Sequence, residues 1–175
     1  DKTIGNRLIN ARCETIAEKP SFRSAWKHRR CLIVSDGYYE WQAMGARKTK
    51  QPYYITMHDE QPFAFAGLWE TWRGPNEEPL LSCTIITTTA NELTESIHPR
   101  MPVILAPEHY DAWLTAPPSS TTELQTYLRP YPSDQMKTVL VDTVVNTPNH
   151  ESPHCIQPVH DSSSPPPEMH QRKLF

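Results

Sequence analysis

Leu80-Leu-Ser-Cys-Thr-Ile-Ile-Thr-Thr88 (residues 80–88) decides the fold class: β-branched residues dominate it, and it holds neither glycine nor proline. Such side chains are stiff at χ1 and suit a pleated surface, so the segment reads as a strand with Cys83 as a core residue. Upstream, CLIVSDGYYEW (31–41) reads as strand, turn, strand about Asp36-Gly37. A connection containing Gly45 leads to PYYITM (52–57), and FAFAGLWETW (63–72) follows as another strand. Downstream, Lys137–Asn146 is a last β-rich run. Helices are few and short. Ser21 is positioned to cap FRSAWKH, whose Phe22, Ala25 and Trp26 share one helical face. Pro107 suits the first turn of a helix carrying Tyr110, Trp113 and Leu114, and Ser120 with Glu123 has capping-box spacing before LQTYL. No internal repeat is present. This order of elements implies an α+β fold with mostly antiparallel strands.

Composition narrows the function classes. A chain of 175 residues, 37% hydrophobic and 21% charged, is the size of one ordinary domain. No apolar run has the length of a membrane span, and DKTIGNRL has no signal-peptide character, so a cytoplasmic protein is expected. Only 5 glycines against 18 prolines leave no Gly-rich phosphate cradle. After residue 160, DSSSPPPEMHQRKLF is too polar and proline-rich to pack, so a domain over 1–159 and a disordered tail over 160–175 are expected. The net charge of −3 hides an asymmetry: residues 1–50 carry 11 Lys/Arg against 5 Asp/Glu, and the rest is acidic. A basic third of this kind suits an anion footprint or a solvated helix face. Cys13, Cys31, Cys83 and Cys155 form no C-x-x-C pair and read as reduced thiols. His150, His154, Cys155 and His160 crowd together, but Pro148, Pro153 and Pro158 forbid the helix that would align them, so neither a metal nor a cofactor is expected.

Three segments place polar residues where a bare core would not. In LINARCET (8–15), Asn10, Arg12 and Glu14 fall on one face of an extended backbone, opposite Ala11 and Cys13. That face can bind a phosphate and orient a carbonyl, or it can be a surface strand with an ordinary Arg–Glu pair. In SDGYYEWQ, Glu40 lies between Tyr39 and Trp41 just past a turn. A carboxylate desolvated by aromatics becomes a better acid–base group near neutrality, while the plain alternative is a surface glutamate. In TESIHPRMPVIL, Pro99 restricts the backbone of His98, and Arg100 lies two residues on. Proton transfer beside a phosphate is one reading, a structural histidine the other.

NAR-x-E-T, DG-aromatic-aromatic-EW and IH-x-RMPVIL, in this order, resemble the SRAP (SOS-response-associated peptidase) family of abasic-site processing proteins. The similarity runs from about Ile4 to Val159 and includes AEKPSF, TIITTTAN and VVNTPN…IQPV. The resemblance implies a barrel-like core of mostly antiparallel sheets with peripheral helices. It also implies a monomeric, DNA-associated protein that captures abasic sites in single-stranded DNA. Capture runs through the amine and thiol of an N-terminal cysteine, closing a Schiff base to a thiazolidine, with autopeptidase and AP-lyase activity at the same site. By motif position, Asn10 orients the cysteine and the sugar aldehyde, Glu40 shuttles protons, and His98 protonates the sugar oxygen. Arg12, Arg100 and Thr87 hold phosphates, and Trp41 supplies a wall or stacks a base. The family's opening Met-Cys-Gly-Arg does not occur in this sequence, and each of its cysteines has its amine in a peptide bond. The expectation is therefore that these residues alone do not crosslink. A non-covalent reader of single-stranded or modified DNA is the alternative.

Overall fold

The computed structural model describes residue 5 and residues 8–45, 49–74 and 78–159; the expected tail and His160 lie outside the described residues. Strands β1 (Asn10–Arg12), β2 (Arg30–Ser35), β5 (Phe63–Trp72), β6 (Leu80–Thr89), β7 (Arg100–Pro102) and β8 (Ile104–Leu105) make one sheet, in the order β1-β6-β5-β2 with β7 on β6 and β8 on β5. Strands β3 (Tyr38–Ala43), β4 (Lys50–Met57) and β9 (Met136–Leu140) make a second, smaller sheet. All pairs are antiparallel except β1 with β6. The two sheets curl toward each other as a half barrel, and the helices stay at the periphery.

Apolar residues from the two sheets meet in one core, where Ile55, Met57 and Met136 pack with Phe63, Phe65 and Met101. The other face of the larger sheet is covered by helices α1 (Arg23–His28), α2 (Tyr110–Thr115) and α3 (Thr121–Gln125), with Leu68, Ile86, Trp26, Trp113 and Leu124 buried between. Trp26 and Trp113 pack tilted, ring centroids 5.6 Å apart. Each such burial contributes about 1.5–3 kcal/mol before entropy is counted. Arg30 pins this layer. Its guanidinium is buried and donates to the carbonyls of Trp26 (2.9 Å), Lys27 (3.0 Å), Trp113 (2.6 Å) and Ala116, the ends of α1 and α2. These are the carbonyls a helix leaves without partners, at the negative end of its dipole.

Five expectations need correction. Asp36-Gly37 does not close a hairpin: β2 pairs with β5 and β3 with β4, so this turn is where the chain changes sheets. Gly37 gives the Tyr54 ring its room there, because a Cβ would fall 2.2 Å from that ring and force it to move. Cys83 is exposed among the described residues, since it lies in the first half of β6, ahead of the residues that pair with β1. Ser21 caps nothing, because α1 begins one residue later than the cap would need, with Phe22 in the capping position. Ser120 stands before α3, but its side chain makes no capping bond. The last β-rich run is strand only to Leu140; Thr143–Asn146 wind into a short 3-10 turn. Among the described residues no helix is long and apolar enough to cross a membrane.

Candidate active site

Parallel pairing of β1 with β6 sets Asn10 beside Ile85 and Arg12 beside Thr87. Ala11 between them is 1% exposed and belongs to the core, so strand alternation turns Asn10 and Arg12 outward together. They look onto an open cleft of about 400 Å³ between the two sheets. Tyr38 and Glu40 reach it from β3, Thr87 from β6, Arg100 from β7, and His98 from the turn between β6 and β7.

The centre of the cleft is an acid–imidazole pair. Glu40 Oε2 lies 3.7 Å from His98 Nδ1, with side chains 22% and 42% exposed respectively. The His98 ring folds over its own turn: Nδ1 is 3.0 Å from the Arg100 carbonyl and 3.2 Å from the Arg100 amide. Either tautomer therefore finds a backbone partner at Nδ1, and the cation can donate to the carbonyl while facing the Glu40 carboxylate at ion-pair distance. Asn91 braces the segment leading to that turn. Its Oδ1 accepts from the Thr94 amide (3.1 Å) and hydroxyl (3.0 Å), and its Nδ2 donates to the Tyr131 carbonyl (2.8 Å). Gln42 donates to the Ser96 carbonyl at 2.8 Å, tying β3 to the segment that carries His98.

The aromatic neighbours expected to desolvate Glu40 are not on its face. Strand alternation sends Tyr39 and Trp41 the other way, and its same-face neighbours are Tyr38 and Gln42. Tyr38 packs edge-on against Phe65, ring centroids 5.8 Å apart, and its hydroxyl is buried without a partner. Burial first, then the charge of Glu40, pushes its pKa well above the usual phenol range, so it remains a donor. The motifs do not single out Tyr38 and Gln42, although the period of two along β3 points to both.

Asn10, Arg12, Glu40, Thr87, His98 and Arg100 thus all line one cleft, and Trp41 does not. The Trp41 indole donates to Asn146 Oδ1 at 2.6 Å, and Asn146 in turn donates to the Lys50 carbonyl at 3.3 Å, so Trp41 ties β3 to the C-terminal 3-10 turn. Replacing Trp41 with phenylalanine is expected to cost about 1 kcal/mol of stability, read as a lower urea midpoint. An unchanged midpoint would mean that the indole hydrogen bond adds nothing to the fold.

Glu14 also departs from its expected place. The strand stops at Arg12 and Cys13–Thr15 form a 3-10 turn, so Glu14 leaves the extended face. It grips Arg100 with both oxygens, Nη1 to Oε1 at 2.5 Å and Nη2 to Oε2 at 3.1 Å. Arg100 Nη2 also donates to the Thr87 carbonyl (2.6 Å) and hydroxyl (3.2 Å). The hydrogen bond from Arg100 holds the Glu14 carboxyl down at about 2.

Fold and cleft together define an α+β half-barrel protein with an open site between its sheets, in which a carboxylate and an imidazole meet beneath an arginine rim. The sequence matches the family SOS response associated peptidase (SRAP) over residues 1–148, and the chain belongs to that family. It is similar to the abasic site processing protein YoqW of Bacillus subtilis (strain 168), 46% identical over 157 residues that cover 90% of this chain and 70% of YoqW. The abasic site processing protein HMCES of Gallus gallus is 32% identical over 174 residues, covering 87% of this chain and 51% of HMCES. A crystal structure of a Bacteroides thetaiotaomicron protein superposes with a TM-score of 0.81 at 36% identity, covering 90% of this chain and 68% of that one.

Proposed function

We propose that this chain binds single-stranded DNA at abasic sites and carries the acid–base part of abasic-site processing. The observation that supports it most is the convergence of Glu40 and His98, 3.7 Å apart, in a cleft whose rim bears Arg12 and Asn10. An abasic sugar reacts through its ring-opened aldehyde. Opening the ring needs a proton on the sugar oxygen, and forming an imine needs protons moved on and off nitrogen and oxygen. His98 is assigned the sugar oxygen, Glu40 the imine protons, and Asn10 the orientation of the aldehyde.

Covalent capture as a thiazolidine requires an amine and a thiol on one residue. Cys13, Cys31, Cys83 and Cys155 all have their amines in peptide bonds. The aminothiol is therefore assigned to an N-terminal cysteine of the kind the family resemblance implies, with the autopeptidase and AP-lyase steps at the same site. What these residues do unaided is non-covalent recognition. Arg12 is exposed on the cleft rim and forms no ion pair among the described residues, which leaves it available to a phosphate.

Fluorescence anisotropy with an abasic single-stranded oligonucleotide tests the reading. Arg12→Ala is expected to weaken binding and flatten the log K against log salt slope by about 0.7, one phosphate contact on a single strand. No binding by the unaltered chain, or a slope unchanged in Arg12→Ala, would sink the phosphate assignment. Denaturing the mixture separates the chemistry: an adduct that survives marks covalent capture, and retention lost with salt and denaturant marks binding alone.

A further inference from the structure

The cation in the cleft best placed to meet a second phosphate is already occupied. Arg100 spends Nη1 and Nη2 on the two oxygens of Glu14 and its remaining Nη2 contacts on Thr87, while its Nε is buried without a partner. A carboxylate gripped by both ends of a guanidinium has the geometry of a bound phosphodiester, with two anionic oxygens facing two parallel N–H groups. We infer that Glu14 is an internal stand-in for substrate: it fills the anion seat built by Arg100 and Thr87, and single-stranded DNA docks there by displacing it. This rests on the nucleic-acid reading above.

The two partners differ in how firmly they are held. The Arg100 side chain is 18% exposed and tied to Thr87, while that of Glu14 is 47% exposed on a one-turn 3-10 segment. When the pair opens, Glu14 is the partner that swings into water, giving up its own amide and the Cys13 thiol as well, and the seat stays formed. The Glu14 carboxyl titrates near 2, so it is ionised throughout the neutral range and competes at full charge. A half-exposed ion pair adds little net stability, so exchanging one anion for another costs little. A phosphate arriving beside Arg12, which pairs with Thr87 across β1 and β6, is carried along the rim toward the same threonine. The consequence is selectivity: an isolated anion gains little by displacing Glu14, whereas a strand already held at Arg12 presents its next phosphate at high local concentration.

Glu14→Gln removes the charge and keeps the shape. Measured by anisotropy at low salt, it is expected to bind single-stranded DNA about twofold to fivefold more tightly, the size of a half-exposed ion pair. Arg100→Ala is expected to flatten the salt slope by about 0.7. The double variant Glu14→Gln/Arg100→Ala is expected to show no gain over Arg100→Ala, because the freed seat has lost its cation. Glu14→Asp, too short to grip both nitrogens, is expected to shift in the same direction as Glu14→Gln and stands in for it if the amide variant does not fold. Binding by Glu14→Gln that is equal to or weaker than that of the unaltered chain would overturn the inference, as would an unchanged slope in Arg100→Ala; Glu14 would then be a fixed brace. These failures are separable from failure of the nucleic-acid reading, in which the unaltered chain itself does not bind and Arg12→Ala changes nothing.

Discussion

Arg30→Met is expected to remove about 3–5 kcal/mol of folding stability, the largest effect of any single substitution proposed for this chain. Methionine matches much of the bulk but donates nothing, so the Trp26, Lys27, Trp113 and Ala116 carbonyls lose their shared partner where water enters poorly. Two helix ends are orphaned at once, and both pack on the larger sheet through Trp26 and Trp113. Lysine in the same place keeps the charge but cannot span carbonyls from two helices, and it is expected to recover less than half of the loss. Urea unfolding checks this, with a fall in midpoint at unchanged slope as the expected result. A midpoint within experimental error of the unaltered chain would mean that the helices are held by apolar contact alone.

The second large effect is chemical. In the protein bearing an N-terminal cysteine ahead of these residues, Glu40→Gln and His98→Ala are each expected to slow adduct formation with abasic single-stranded DNA by about 10²–10³-fold. Binding of the same oligonucleotide should change far less, because the proposed phosphate contacts lie on the arginines. Glutamine keeps the size and the hydrogen bond from the Trp41 amide but cannot take up a proton. The rate is read from denaturing gels over time. Rates matching the unaltered protein in both variants would remove the acid–base roles, whatever the distance between the two groups.

The parts of this molecule that were legible in the sequence are those governed by local periodicity. The β-branched run at 80–88 is strand in β6, and Ala11 is buried between outward-facing Asn10 and Arg12 because a strand alternates. Phe22, Ala25 and Trp26 share a buried face as their spacing requires. Errors appeared where a partner distant in sequence decides. Asp36-Gly37 has the local chemistry of a hairpin turn, yet the strands on either side go to different sheets, because β5 and β4 offer each a longer partner. Cys83 has core neighbours in sequence and open surface in space.

By itself, then, the order of residues determined the class of fold, the alternating faces of the strands and the polar motifs that mark the family. Tertiary packing alone decided which of those polar residues meet. Glu40 and His98 come together because β3 and the turn before β7 belong to sheets that close on a shared apolar core. Trp41, one residue from Glu40, is carried away from the cleft by the same strand geometry. Glu14 reaches Arg100 because the chain leaves β1 in a tight turn, which no local pattern announces. The physical reason is one of range: alternation and propensity act over a few residues, while the meeting of charges depends on how large apolar surfaces find the arrangement that buries them best.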